Sequence, residues 1–171
     1  MRDGTVRCWG QGNEGQLGNN LGTNSGNTPV TVSNLNNVMQ LACGHSHCCA
    51  RRSDGTVWCW GRNSSGQLGD ETTTQRNAPV RVAYLTNVVH IATGHNHSCA
   101  IRQNGTTWCW GANGSGQLGD GFTTNQLRAT QMPNFLGATM LTAGEGHTCA
   151  RMGDNTVRCW GRGTEGQLGN N

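Results

Sequence analysis

The chain has 171 residues, 27 of them glycine and 9 cysteine, a net charge of +3 and only 12% charged side chains, which leaves room for one ordinary domain at most. All twelve positive side chains are arginines and they are dispersed, so there is no basic footprint for phosphates and a nucleic-acid partner is not expected. No segment approaches the roughly 18 apolar residues that span a bilayer, and the opening MRDGTVRCWG has no apolar run of signal-peptide type, so no membrane span is expected.

The chain is repetitive. The string CWG begins at Cys8, Cys59, Cys109 and Cys159, and GQLG occupies 15–18, 66–69, 116–119 and 166–169. GHSHCCA, GHNHSCA and GEGHTCA open at Gly44, Gly94 and Gly144, so the period is about fifty residues. In chain order, a partial repeat covers 1–36, two whole repeats cover 37–86 and 87–136, and a second partial repeat covers 137–171, together one array. PVRV (79–82) is a short apolar stretch and VVHIATG (88–94) alternates. HSCAIR (97–102) and TTWCWG (106–111) also alternate, and they flank a turn. Each unit therefore reads as four short strands, with no helical period. Four-stranded units at this spacing are the signature of propeller blades, each needing neighbours to bury its faces. The expected fold class is all-β: about three to three and a half β-propeller blades, part of a larger propeller or assembly.

The string GHNHSCAIRQNGTTWCWGANGSGQLGD resembles the repeat of the regulator of chromosome condensation family: G-x-x-H-S-x-A-L, then D-G-x-V-x-x-W-G, then N-x-x-G-Q-L-G. The resemblance covers essentially the whole chain. It implies a propeller, usually of seven blades in that family, and says far less about function. The family's namesake activity, guanine-nucleotide exchange on a small GTPase, is one function it implies.

The cysteines carry the sharper inference. If Ser53, Asp54 and Gly55 form a three-residue hairpin loop with Gly55 left-handed, Arg52 faces Thr56 and, counting back, Cys49 faces Cys59. The same count through Gln103, Asn104 and Gly105 sets Cys99 opposite Cys109, and through Gly153, Asp154 and Asn155 it sets Cys149 opposite Cys159. Asparagine is the best substitute for glycine at a left-handed position. Facing residues in an antiparallel pair lie close to disulfide distance. Each bridge would close a loop of about eleven residues, about 3 kcal/mol in the chain-entropy model, less whatever the hairpin already restricts. Three such staples place the chain in an oxidising compartment, secreted, periplasmic or at the cell surface. Cys8, Cys43 and Cys48 remain. Cys8 is equivalent to Cys59 and is either free or bridged to another polypeptide, whereas Cys43 and Cys48 either pair locally or sit as small buried groups.

Other chemistries are weaker. His47, His97 and His147 share a hairpin face with the cysteine pairs, but with no Cys-x-x-Cys chelate and no recurring fourth ligand the repeat position explains them better than a metal site. No metal, cofactor or catalytic residue is therefore assigned, and the carboxylates fall at turns. Trp9, Trp60, Trp110 and Trp160 are expected to pack between blades, together with Trp58 and Trp108. The GQLG loops read as turns, since no helix follows and the chain has no lysine to make a phosphate cradle. The sequons at Asn63, Asn96, Asn104 and Asn113 carry little weight in an asparagine-rich chain. The loops 19–28, 70–78 and 120–128 vary most between units, and Glu71, Arg76, Phe122 and Arg128 are the candidate binding residues on them.

Three and a fraction blades do not close a ring, so the ends are expected to be covered by further repeats of a longer array or by end-to-end self-association. The expected function is a non-catalytic extracellular scaffold that binds a protein partner or itself; the alternative is an exchange-factor-like regulator of a small GTPase.

Overall fold

The computed structural model describes residues 4–22 and 26–170. Positions 23–25 of the first variable loop, and the chain ends 1–3 and 171 within the two partial repeats, lie outside the described residues.

Among the described residues the structure is all-β, in four antiparallel sheets. β1 (Arg7–Gly10) pairs with β2 (Gly26–Thr31). A four-stranded sheet follows in chain order: β3 (Val38–Cys43), β4 (His47–Arg52), β5 (Val57–Gly61) and β6 (Arg76–Arg81). A second is built from β7 (Val88–Thr93), β8 (His97–Arg102), β9 (Thr106–Gly111) and β10 (Gln126–Leu136). The last has three strands, β11 (Ala138–Ala143), β12 (His147–Met152) and β13 (Val157–Gly161). The short outer strand expected at PVRV starts earlier, at Arg76, and its counterpart β10 runs for 11 residues with register shifts along its length.

Local chemistry sets the hairpins. In each β4–β5-type turn the residue after the short loop is clasped by the side chain two positions before it. Asp54 Oδ1 accepts from Thr56 N at 3.0 Å and from its hydroxyl at 2.6 Å. Asn104 does the same for Thr106, and Asp154 for Thr156, the self-capping that makes these residues turn formers. The left-handed position is filled by Gly55 (φ 75°), Gly105 (79°) and Asn155 (66°). The resulting register sets Cys49 against Cys59, Cys99 against Cys109 and Cys149 against Cys159.

The core lies between sheets. Leu68, Val82, Leu85, Ile91 and Trp110 bury together, and so do Leu118, Met132, Leu141 and Met152 one repeat later. β7 packs against β3 on one side and β11 on the other. The Gln40 side chain joins two of these sheets as a substitute strand edge: its Nε2 donates to Ile91 O at 2.9 Å and its Oε1 accepts from Ile91 N at 3.0 Å.

Candidate functional site

The cysteine positions are taken up by covalent bonds. Disulfides join Cys49 to Cys59, Cys99 to Cys109 and Cys149 to Cys159, each with Cα atoms 4.1 Å apart, and a fourth joins Cys43 to Cys48 at the β3–β4 turn. Of the two local readings of Cys43 and Cys48, the structure shows the bonded pair. Cys8 is a free, half-buried thiol whose pKa burial pushes up.

The sheets are latched to one another by a relay that repeats with the sequence. His47, 1% exposed, approaches Ser98 Oγ of the next sheet with Nε2 at 2.9 Å, and Ser98 Oγ donates onward to Gln67 O at 3.0 Å. Because the hydroxyl spends its proton on the carbonyl, it accepts from His47, which fixes the Nε2–H tautomer. His47 Nδ1 is then the bare lone pair, and it has no partner. One unit on, His97 meets Thr148 Oγ1 at 2.9 Å, and that hydroxyl donates to Gln117 O at 2.8 Å. The same carbonyls receive the indoles: Trp110 Nε1 donates to Gln67 O at 2.9 Å and Trp160 Nε1 to Gln117 O at 3.0 Å, as Trp60 does to Gln16 O at 2.9 Å.

This gives GQLG its meaning. The glutamine Oε1 secures its own loop by accepting from Ser65 N or Ser115 N, its carbonyl receives the neighbouring sheet, and the leucine is core. The final glycine leaves room for the indole: a Cβ on Gly69 would lie 2.9 Å from Trp110 Nε1. The loops are turns, and they are also interblade latches. A carbonyl that accepts an indole N–H and a hydroxyl across a sheet boundary has no signature in the sequence. The only available signal was the hydroxyl that follows the histidine in HSC and HTC.

Burial as a neutral ring pushes the His47 pKa down to about 3 and the His97 pKa down to about 4, with neighbouring histidines adding to the effect. The unfolded chain, with ordinary histidines near 6.5, therefore binds more protons below that pH. The associated stability is complete above about pH 6.5 and is lost as pH falls towards the folded values, at up to about 1.4 kcal/mol per pH unit for each ring. Urea midpoints should fall steadily from about pH 6.5 to pH 4.5, and a His97→Gln variant should show a shallower slope.

The tryptophans divide. Trp60 and Trp110 are fully buried, but Trp9, expected in the core, is 64% exposed, because β1 pairs only with β2 among the described residues. Trp58 and Trp108 are half-buried beneath Arg52 and Arg102. Two sequons are closed to modification, since Asn63 and Asn113 are buried loop organisers. Asn63 Nδ2 donates to Asp70 Oδ1 and to the carbonyls of Thr72 and Thr74, and Asn113 Nδ2 donates to Asp120 Oδ1 and Phe122 O.

Arg76, a candidate for binding, is occupied within its own loop, pairing with Asp70 at 2.7 Å. Burial raises the Asp70 carboxyl, but hydrogen bonds from Thr72, Arg76 and Asn63 outweigh it and hold the pKa below the usual value. Glu71 is exposed with φ 64° and is tied by its amide to Leu127 O. Phe122 is 67% exposed, and Arg128 stands on β10 beside Tyr84 and Trp108. At the converging ends of β3, β7 and β11, His45 and His95 stack edge to face with centroids 4.2 Å apart, and Glu145 lines the same opening.

Four-stranded antiparallel sheets packed in chain order and joined by one repeating latch define a β-propeller repeat protein. The Regulator of chromosome condensation (RCC1) repeat matches residues 3–51, 54–101 and 104–151, and a second form of it matches 38–67, 88–117 and 141–167. The chain belongs to the RCC1-repeat family. It is 44% identical over 68 residues to the human probable E3 ubiquitin-protein ligase HERC6, covering 39% of this chain and 7% of the relative. It is equally identical over 68 residues to the ultraviolet-B receptor UVR8 of Arabidopsis thaliana, covering 37% of this chain and 15% of that one. The structure of Prp20p from Saccharomyces cerevisiae, described with its binding properties to Gsp1p and histones, superposes with a TM-score of 0.80 at 26% identity over 96% of this chain and 43% of that one. The chain thus spans less than half the length of these relatives. No helix among the described residues is long and apolar enough to cross a membrane.

Proposed function

We propose that this chain is a non-catalytic scaffold of an oxidising, extracellular compartment, whose latched blades hold variable loops rigidly for a protein partner or another copy. The observation that carries the reading is the set of four disulfides, one in each complete β4–β5-type hairpin and one at the β3–β4 turn. Bonds of this kind persist outside the reducing cytosol. The loops bearing Glu71 and Phe122 are the exposed, variable elements on this frame.

The test is a thiol count on protein isolated from its native source with alkylation at lysis. With the alkylated sites mapped by peptide mass spectrometry, Cys8 alone among the cysteines of residues 1–171 is the expected site, and alkylation of all nine would overturn the reading. A second reading, an exchange-factor-like regulator of a small GTPase, is favoured by the likeness to Prp20p and needs the reduced form. Alkylation of all nine cysteines of residues 1–171 together with accelerated nucleotide release from a small GTPase would establish it.

A further inference from the structure

The outer rim beside Trp108 carries an arrangement that neither the latches nor the staples use. Tyr84, the single tyrosine of the chain, is 81% exposed and has φ of 55°. The equivalent positions in the adjoining repeats are Asn34 and Asn134, with φ of 53° and 55°, and asparagine is the side chain that best tolerates this left-handed conformation. A bulky aromatic ring there strains the backbone, and at such exposure it recovers little by packing. Strain kept without a packing return is a mark of a binding position.

Tyr84 lines an open cleft of about 300 Å³ with Trp108, Arg128, Ala129, Thr130 and Gln131. The Trp108 ring is held by its Nε1, which donates to Thr106 Oγ1 at 2.9 Å. The Arg102 guanidinium lies 5.5 Å from the ring centroid and is itself fixed by donating to Thr86 O at 2.9 Å. In the preceding sheet the matching pair is Trp58 with Arg52, and Asp54 sits 3.7 Å from that guanidinium. Here Asn104 replaces the aspartate. Among the described residues neither Arg102 nor Arg128 meets a carboxylate within 4.0 Å.

We propose that this cleft binds an anionic saccharide, a uronate-bearing glycan. Its apolar ring face stacks on Tyr84 and Trp108, its carboxylate pairs with Arg128, and its hydroxyls meet Gln131 and Thr130. Guanidinium forks match carboxylates, and tyrosine and tryptophan offer an apolar face with a polar edge. A cleft of this size stands at the small end of small-molecule sites, and a docked protein needs roughly 800 Å² of each partner. The glycan's place outside the cytosol rests on the reading above, but the chemistry of the cleft does not.

The intact protein would be titrated calorimetrically with tetragalacturonate, and in parallel with maltotetraose, hexaglutamate and a thymidine oligonucleotide. Tetragalacturonate alone should bind. Tyr84→Asn should weaken it by at least about tenfold while the melting temperature stays level or rises, because asparagine suits the backbone there. Arg128→Gln should weaken it by about tenfold and flatten its salt dependence. Absence of tetragalacturonate binding, undiminished binding by Tyr84→Asn, or tighter binding of any of the other three ligands would overturn the proposal. The thiol count is measured separately, so failure of the compartment reading is distinguishable from failure of the cleft.

Discussion

Replacing Trp110 by alanine should lower the stability of the folded chain by about 4 kcal/mol, a large part of the 5–15 kcal/mol that holds an ordinary domain. The side chain is fully buried and packs with Leu68, Val82, Leu85 and Ile91. Those partners come from the β5–β6 loop, the segment after β6 and strand β7, so removing the ring opens a cavity at the boundary that no one element can close alone. The change also removes the indole N–H from Gln67 O, leaving Ser98 as its remaining partner. Denaturant unfolding of wild type and variant at matched pH checks the figure. Trp108→Ala, at a half-buried ring, should cost clearly less, and equal losses at the two positions would contradict the packing described.

The second large effect is expected at Gly111, which follows that tryptophan. Its φ is 99°, and Gly10, Gly61 and Gly161 share the conformation at 102°, 103° and 102°. A Cβ there would fall 2.6 Å from Asn96 O, 2.9 Å from His97 Cα and 3.1 Å from Gln67 Cα. All three neighbours are backbone atoms, from the start of β8 and the turn before it and from the adjoining sheet's latch loop, so none can swing aside as a side-chain tip would. Gly111→Ala should therefore cost about 3 kcal/mol or more, combining backbone strain with steric overlap. Gly116→Ala provides the contrast. That glycine also has positive φ, at 74°, but a Cβ there meets nothing within 4 Å, so only the conformational penalty, about 1 kcal/mol, is expected. Thermal melts of the two variants measure the difference.

The repeat length, the all-β class and the hairpin register were legible in the chain, because each depends on short-range rules. Strand side chains alternate with period two, and a three-residue loop with a left-handed third position leaves one way to pair the flanking strands. That is why Cys49 and Cys59 could be set face to face from a count across Ser53, Asp54 and Gly55. The expectation that Trp60 and Trp110 are interblade core agrees with their complete burial. Trp9 shares their repeat position and is nevertheless exposed, since burial belongs to the neighbouring sheets and a tryptophan's repeat position does not supply them.

By itself, then, the sequence determined the blade unit, its hairpins and the cysteines that face one another, all set by contacts within about a dozen residues. Tertiary structure alone decided the rest. Packing of one sheet on the next carried His47 to Ser98, 51 residues away, and Trp110 to Gln67 O, 43 residues away. It also brought Tyr84 to the cleft that Trp108 and Arg128 line. Those relations depend on the distance and angle between sheets, which come from how buried side chains interlock and which no local pattern encodes.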